Sequence, residues 1–175
     1  MGQLIAHGVS APITSSVGRL FDAVAALCGI CPRASYEGQA AIELEASCDP
    51  HQARAYEIPL AASDGYLRLD PRPALAAIVR DLRAGVHVGQ VASGFHAALA
   101  EASAEACEHA AAMRGCGVVV LSGGVFQNRR LLEETARRLD GAGLRVLVPE
   151  RLPANDGGIS YGQAAVAARR FAEEE

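Results

Sequence analysis

Residues 117–149 read GVVVLSGGVFQNRRLLEETARRLDGAGLRVLVP and decide the fold class of this chain. The stretch opens with a short apolar run that is typical of a buried strand, and it continues with apolar residues at helical spacing. It closes on a second apolar run, LRVLVP, which predicts another strand. Because the connection from Val118 to Val148 has the length that a right-handed crossover needs, the sequence predicts a parallel β-α-β unit.

The pattern on either side of this unit adds further helices and one hairpin. Helices are predicted at residues 17–28, 40–47, 71–83, about 88–113 and 158–171. Two short runs with partial alternation, 53–60 and 65–70, flank an Asp-Gly turn signal and predict a β-hairpin. No repeat or low-complexity linker interrupts the sequence, so residues 1–175 are predicted to form a single α/β domain.

Composition narrows the class of partner. The chain has 175 residues, is 50% hydrophobic and 21% charged, and carries a formal net charge of −4. It lacks the basic stripe that nucleic-acid binding needs, and it lacks a run of about 18 apolar residues that would cross a membrane. Because its first residues do not resemble a secretory signal, we expect a cytoplasmic protein without a nucleic-acid or membrane partner.

The five cysteines are an odd number without the spacing of a disulfide framework, so we expect reduced thiols. Cys28 and Cys31 form a C-x-x-C motif. A structural zinc site would need a second pair of Cys or His at suitable spacing, which the sequence does not offer. The pair is interpreted first as small apolar residues at a helix end, and only second as a metal or redox site.

The segment SGGVFQN, residues 122–128, follows the first strand of the β-α-β unit and opens its helix. Adjacent Gly123 and Gly124 allow a sharp turn and the close approach of a ligand, and the helix start offers N–H groups to an anion. The alternative is a tight connection in which Asn128 caps the helix, a role that Asn performs well. The spacing alone leaves both interpretations open.

A second Gly-Gly turn, PANDGG at residues 153–158, follows the second strand and again precedes a helix. Asp156 in this turn is either an oxygen ligand for a metal ion or a cap for the helix that follows. Loops after the carboxyl ends of neighbouring parallel strands meet at one edge of a sheet. The two turns are therefore predicted to line one crevice.

Two segments nearer the amino end carry weaker signals. Residues 14–22, TSSVGRLFD, place hydroxyls that could cap the first helix beside Arg19 and Asp22, which would ordinarily be solvated surface charges. Residues 35–40, SYEGQA, would ordinarily be a loop that leads into a helix. The five histidines never fall at positions i and i+4, so no helix is predicted to present two imidazoles on one face.

Four segments together resemble the C-terminal part of the hydrogenase maturation carbamoyltransferases, the HypF family: TSSVGRLFDAVAALCG, SYEGQAAIELE, VVLSGGVFQNRRLLEE and LPANDGGISYGQAA. Their order and approximate spacing are similar to those of the family along residues 3–172. The resemblance implies the C-terminal half of a nucleotide-binding domain that is shared with the tRNA threonylcarbamoyltransferases, and hence a fragment of a longer chain. It implies one lobe of the actin, sugar kinase and Hsp70 fold group (ASKHA), with a mixed sheet and flanking helices.

The resemblance also implies a reaction. Carbamoyl phosphate and ATP form a carbamoyl adenylate, and the carbamoyl group then passes to the C-terminal Cys of the partner protein HypE. Dehydration there gives the cyanide ligand of the NiFe hydrogenase centre. The implied cofactors are ATP and a divalent metal ion of unknown identity.

Site residues are carried over by their match to the family's motifs. Asp156 matches the family's metal-binding Asp, and Asn128 matches an Asn that contacts nucleotide. Asp22 and Gly38 match positions that line the adenylate pocket in the related tRNA enzymes. The turn Gly123–Gly124 would let backbone amides meet the nucleotide. No residue is assigned a catalytic role.

The chain also departs from the family's pattern. It lacks the His-x-x-x-His pair that completes the family's metal site, the acylphosphatase-like and zinc-finger regions, and the domain that makes the carbamoyl adenylate. We therefore expect the chain to be inactive by itself. A non-catalytic module that binds nucleotide or a partner protein is the alternative. The tRNA enzyme is disfavoured, because the motifs Gly-Gly-Val-Phe-Gln-Asn and Asn-Asp-Gly-Gly have the maturation-family form.

Overall fold

The computed structural model describes residues 14–49, 55–63 and 66–174. The elements in chain order are α1 Val17–Leu27, α2 Gln39–Ala46, β1 Leu60–Ser63, β2 Tyr66–Leu69, α3 Arg72–Arg83, α4 Val88–Arg114, β3 Val118–Val120, α5 Arg129–Gly141, β4 Arg145–Leu147 and α6 Ile159–Glu174. Short 3-10 helices, Gly124–Gln127 and Asp156–Gly158, precede α5 and α6. The helices predicted from apolar spacing are confirmed, with ends that differ by at most three residues.

A hairpin and its second strand are confirmed, but the predicted first strand is wrong, because the observed strand shares only Leu60 with the predicted run. β1 and β2 pair antiparallel, with Leu60 opposite Leu69. The run 53–60 was predicted as the first strand, yet the strand begins at Leu60, directly after Pro59. Pro59 has no N–H to donate, although its carbonyl oxygen accepts from the N–H of Asp70 at 3.0 Å, so the regular ladder begins at the next residue. The connecting residues Asp64 and Gly65 lie outside the described residues.

The four described strands form two separate sheets, which corrects the single mixed sheet implied by the family resemblance. β1 pairs with β2, whereas β3 pairs with β4 in parallel. The long helix α4, of 27 residues, separates the two pairs in the sequence and contacts β1, β2 and β3.

The helix α4 is the centre of the structure. Residues 91–100 of this helix are all buried, including His96. Its many alanines and glycines let neighbouring elements approach it from several sides, whereas a surface helix would show one apolar stripe. One apolar cluster, which includes Phe21, Leu44 and Phe95, joins α1, α2 and α3 to this helix.

A second, smaller apolar cluster lies beneath the parallel strand pair. Leu121 and Leu139 are buried there, and Val119 and Val146 pack against them from the strands. Phe126, in the 3-10 helix before α5, packs against both clusters. The turn that carries the first Gly-Gly motif is therefore attached to both parts of the core.

The two parallel strands are covered on one side only, which corrects the expectation of fully buried strands. Val119 points towards the second cluster, whereas Val118 and Val120 are 41% and 63% exposed. A two-stranded sheet packed on α5 has a second face, and no described element covers that face of β3. The strand therefore alternates between inward and outward residues.

The last helix, α6, lies on the surface along its whole length. Every side chain from Ile159 to Glu173 is exposed, and Phe171 is 71% exposed. Among the described helices, none has both the length and the apolar character needed to cross a membrane.

Candidate functional site

The two Gly-Gly turns lie side by side at the carboxyl ends of β3 and β4. The backbone N–H of Gly123 donates to the carbonyl oxygen of Ala154 at 2.7 Å, and the hydroxyl of Ser122 donates to the same oxygen at 3.4 Å. The N–H of Leu121 donates to the carbonyl of Leu147 at 3.0 Å, so strand pairing continues up to the turns. The predicted adjacency of the turns is confirmed, whereas their role in ligand binding stays a prediction.

Glycine is required at two positions of these turns for different reasons. Gly123 has a φ of +106°, a conformation that residues with a side chain rarely adopt. At Gly158 a Cβ atom would lie 2.7 Å from the carbonyl oxygen of Pro153. At Gly124 a Cβ atom would meet only Asn155, at 3.9 Å, which is an ordinary contact. Gly124 therefore leaves the surface of the turn open without being needed for packing among the described residues.

Asn128 caps α5, as the second interpretation of its motif predicted. Its Oδ1 accepts a hydrogen bond from the backbone N–H of Leu131 at 2.8 Å, and its Nδ2 lies 3.0 Å from Nε2 of His96. The residue is 8% exposed. Two of the hydrogen-bonding positions on the carboxamide are thus used internally, and one N–H and one lone pair are left for a ligand.

His96 is fully buried beside this cap. Phe21 and Phe95 lie against its ring, with centroids 5.2 and 5.9 Å away. Burial is the main cause that lowers the pKa of His96 to about 4; the hydrogen bond with Ala92 opposes this shift, and the nearby Arg130 guanidinium adds to it. The imidazole is therefore neutral at physiological pH. Sequence reasoning gave this residue no role, because a lone His in the middle of an Ala-rich helix has no distinguishing pattern.

The amino end of α5 already holds an anion from the protein itself. The carboxylate of Glu45, on α2, accepts a hydrogen bond from the backbone N–H of Arg130 at 2.8 Å. Together with the Asn128 cap, this contact satisfies N–H groups that the sequence analysis offered to a ligand. The start of α5 therefore offers fewer free N–H groups to an anion than its sequence predicted. Nothing in the sequence around Glu45 pointed to this contact.

Asp22 lies on a helix that contacts the first Gly-Gly turn, and it is engaged with a neighbour on that helix. Ser16 caps α1 by accepting from the N–H of Arg19, and the guanidinium of Arg19 pairs with the Asp22 carboxylate at 3.3 Å. The Asp22 side chain is 43% exposed. Since α1 also contacts the 3-10 helix Gly124–Gln127, Asp22 is on an element adjacent to the turn.

Gly38 lies at the amino end of α2. It precedes α2 with a φ of +80° and is exposed. Glu45, which contacts α5, lies seven positions farther along the same helix, or roughly 10 Å at 1.5 Å per residue. Among the described residues, no contact brings Gly38 to the Gly-Gly turns, and its place in a nucleotide pocket stays a prediction.

Asp156 is exposed in the second turn, where Asn155 rather than Asp156 provides the local cap. Oδ1 of Asn155 accepts from the backbone N–H of Gly157 at 3.1 Å. Within the part of the chain that the structure describes, no group of three or more His, Cys, Asp or Glu side chains is arranged to hold a metal ion. A single carboxylate does not make a stable site. The described residues therefore do not fit a metal ion by themselves.

The C-x-x-C pair shows no sign of reactive thiols. Burial raises the pKa of Cys28 and of Cys31, and the carboxylate of Glu43 raises that of Cys31 further. Thiolates are the nucleophilic and metal-binding form, so a raised pKa disfavours both roles. The interpretation as residues at a helix end is favoured, since Cys28 directly follows α1.

One concavity of about 700 Å³ is lined by residues of α6, starting at Ile159, which directly follows the second turn. It runs along the outer face of α6, where Ile159, Val166 and Phe171 contribute apolar surface and Arg170 a charge. It is formed by one exposed helix and is open to solvent. The contacts between the turns, and not this surface, therefore define the candidate site.

The fold and the paired turns are those of a known class of protein. A family model described as the carbamoyltransferase Kae1-like domain, second subdomain, matches residues 1–163. The chain belongs to this family, the HypF carbamoyltransferases. Carbamoyltransferase HypF of Rhodobacter capsulatus is 43% identical over 170 residues, which are 97% of this chain and 22% of that protein. Carbamoyltransferase HypF of a Synechocystis strain is 39% identical over 164 residues, 92% of this chain and 21% of that protein.

Two solved structures have the same fold. A crystal structure of full-length HypF in the phosphate- and nucleotide-bound form superposes with a TM-score of 0.90 at 35% identity, covering 97% of this chain and 22% of that one. The structure of HypF from T. kodakarensis gives a TM-score of 0.82 at 26% identity, covering 98% and 22%. This chain thus spans about a fifth of the length of the relatives that it matches.

Proposed function

We propose that this chain supplies the Gly-Gly turns of an adenine nucleotide site, as one lobe of an ASKHA-type domain in a longer carbamoyltransferase. The observation that carries the proposal is the contact of the two turns through Gly123 and Ala154 at 2.7 Å. Parallel α/β proteins bind ligands at this edge, beyond the carboxyl ends of the strands. A HypF relative has been solved with phosphate and nucleotide bound, which supports a nucleotide as the ligand class.

The backbone N–H groups that already have partners within the protein support a position for the nucleotide at the turns. Because Asn128 and Glu45 use N–H groups at the start of α5, phosphate oxygens would meet the backbone of the turn instead, and the N–H and lone pair left on the Asn128 carboxamide would contact another part of the nucleotide. The first N–H groups of the 3-10 helix that starts at Gly124 have no preceding helical turn to accept from them. Gly124 has no side chain to keep a ligand away. Asp156 stands in the adjoining turn, and Asp22 on the adjacent helix α1.

The complete reaction is proposed for the longer protein, in the cytoplasm. Carbamoyl phosphate would be hydrolysed to carbamate and phosphate, and carbamate and ATP would form a carbamoyl adenylate with release of pyrophosphate. The carbamoyl group would then pass to the C-terminal Cys of HypE as AMP leaves, on the way to the cyanide ligand of NiFe hydrogenase. This chain would hold the nucleotide by its turns. Asp156 would be one of several ligands of a divalent ion whose other ligands come from outside the described residues.

The chain by itself would bind nucleotide weakly and would transfer no carbamoyl group. A half-pocket stays open to water, which screens each polar contact and leaves the reacting groups unplaced. The test is mass spectrometry of the C-terminal peptide of HypE after incubation with carbamoyl phosphate and ATP. We expect no thiocarbamate with this chain, and its formation would contradict the half-pocket.

The same assay tests Asp156 in a longer protein that contains this segment. Asp156→Ala should reduce transfer by about tenfold or more, by analogy with lesions in metal sites. Asp140→Ala removes an exposed carboxylate from α5 and serves as the matched control. Full transfer by the Asp156 variant would remove this residue from the site.

A non-catalytic module that binds nucleotide or a partner protein is the second candidate. It is favoured by the internal use of the Asn128 carboxamide and by the lack of a metal-ligand cluster among the described residues. Transfer that survives Asp156→Ala in the longer protein, together with nucleotide binding at the turns, would support this candidate.

A further inference from the structure

A chain of hydrogen bonds runs from α4 to the start of α5 through His96. Nδ1 of His96 lies 2.8 Å from the carbonyl oxygen of Ala92 and 3.4 Å from Sγ of Cys48. Nε2 lies 3.0 Å from Nδ2 of Asn128. Oδ1 of Asn128 in turn accepts from the N–H of Leu131. The ring therefore links a backbone carbonyl in one helix to the cap of another.

The donors and acceptors along this chain can be arranged in one way only. The backbone N–H of Leu131 is a donor, so Oδ1 of Asn128 must face it and Nδ2 must face His96. An amide nitrogen also donates, so Nε2 of His96 must be unprotonated. The ring proton is then on Nδ1, where it donates to Ala92. His96 is thereby assigned as the neutral Nδ1–H tautomer.

The surroundings of His96 keep the ring in this state. Phe21 and Phe95 pack edge-on against it, and the residue has no exposed surface. Its lowered pKa agrees with a neutral imidazole. A protonated ring would turn two N–H groups towards each other at Nε2 and would force the Asn128 carboxamide to rotate.

We propose that His96 is a positioning residue for the nucleotide site, because it fixes the orientation in which the Asn128 carboxamide meets its ligand. The inference rests on the proposed function, in which Asn128 contacts the nucleotide. The last torsion of an Asn side chain is broad. The N–H of Leu131 holds only the oxygen of the carboxamide, so His96 is the partner that holds its nitrogen and with it the amide plane. With His96 in place, the remaining N–H and lone pair point in fixed directions.

The test compares His96→Leu, His96→Gln and Asn128→Ala in this chain, with AMP as the probe and backbone amide shifts as the measure of binding. Leu fills a similar volume without an acceptor, whereas the Gln carboxamide oxygen can accept from Nδ2 of Asn128. We expect His96→Leu and Asn128→Ala each to weaken AMP binding by about tenfold. His96→Gln should recover most of the affinity.

The double variant separates a positioning role from a general loss of structure. If His96 acts through Asn128, His96→Leu combined with Asn128→Ala should bind AMP no more weakly than Asn128→Ala alone. If the losses of AMP affinity in the two single variants add up in the double variant, the inference is wrong, although the proposed nucleotide site would still stand. Unchanged AMP binding in Asn128→Ala would instead contradict the proposed function at this residue, and the inference would fall with it.

A measurement on the unsubstituted chain covers the case in which His96→Leu does not fold. The ¹⁵N shifts of the His96 ring report its tautomer directly. A protonated Nδ1 and a bare Nε2 at neutral pH are expected, and a proton on Nε2 would overturn the inference.

Discussion

The carboxylate of Glu45 accepts a hydrogen bond from the backbone N–H of Arg130 at 2.8 Å, although the two residues are 85 positions apart. The contact brings a negative charge from α2 to the positive end of the α5 dipole, where a bound anion would otherwise be stabilised. With Asn128 as the cap, the start of α5 is satisfied without a ligand. This is why the proposed nucleotide contacts lie on the Gly-Gly turns.

Removal of the Glu45 carboxylate should therefore destabilise the fold. Glu45→Ala is expected to lower the free energy of unfolding by about 1 kcal/mol, and Glu45→Gln by less because its amide oxygen can still accept. Urea unfolding measures both, with the exposed Glu105→Ala on α4 as the control. An equal loss for Glu45→Ala and Glu105→Ala would contradict the contact.

Substitution of Asn128 by Asp should change the protonation of His96. Asp keeps the oxygen that caps Leu131 and places a second oxygen where Nδ2 now faces the ring. A carboxylate beside an imidazole favours the charged form, so the pKa of His96 should rise well above its present value of about 4. Titration of the ring by NMR tests this, with Asn128→Ser as a control that caps without adding charge. A His96 pKa that is the same in both variants would be inconsistent with the hydrogen-bond chain.

Stability should fall on mild acidification because of His96. Its pKa is about 4 in the folded chain against 6.5 for the unperturbed group, so the unfolded chain takes up the proton first. The contribution of neutral His96 to the free energy of unfolding is fully present above pH 6.5. It is lost as the pH falls to about 4, which lowers that free energy by about 3 kcal/mol. Across this range, the free energy of unfolding should change less with pH for His96→Gln than for the exposed control His109→Gln. If the free energy of unfolding changes equally with pH in the two variants, the pH dependence comes from other groups.

Two glycines near the candidate site should respond in opposite ways to alanine. At Gly158 the new Cβ would press against the Pro153 carbonyl oxygen at 2.7 Å, so Gly158→Ala should unfold at a lower temperature. Gly162 lies within α6 with open space around it, and Gly162→Ala should be neutral or stabilising by up to about 1 kcal/mol. Thermal unfolding compares the pair, and a tolerated Gly158→Ala would mean that the second turn is not fixed as described.

The elements of this fold could be predicted because their signals are local. Apolar spacing located the helices, and two apolar runs with a helix between them predicted the parallel pair β3 and β4. The separation of the described strands into two sheets could not be predicted in this way, since strand pairing depends on contacts between residues far apart in the sequence. The exposed faces of Val118 and Val120 likewise depend on which elements cover the strands.

The local features of the candidate site could likewise be predicted, whereas its long-range contacts could not. The meeting of the Gly-Gly turns follows from strand order, and the capping role of Asn128 follows from its place before a helix. Glu45 and His96 were missed, because each acts on a partner far away in the sequence and neither belongs to a motif. Contacts of this kind arise from packing, which periodicity and spacing do not encode.

The most direct test of the account is a titration of this ¹⁵N-labelled chain with ATP, repeated with Gly124→Ala and Gly162→Ala. The first substitution places a methyl group on the open turn without a clash, at 3.9 Å from Asn155, and the second places one on α6. The account predicts that ATP shifts the amides of the two Gly-Gly turns, that Gly124→Ala weakens these shifts, and that Gly162→Ala does not. Shifts that leave the turns unaffected, or that persist unchanged in Gly124→Ala, would contradict the placement of the nucleotide.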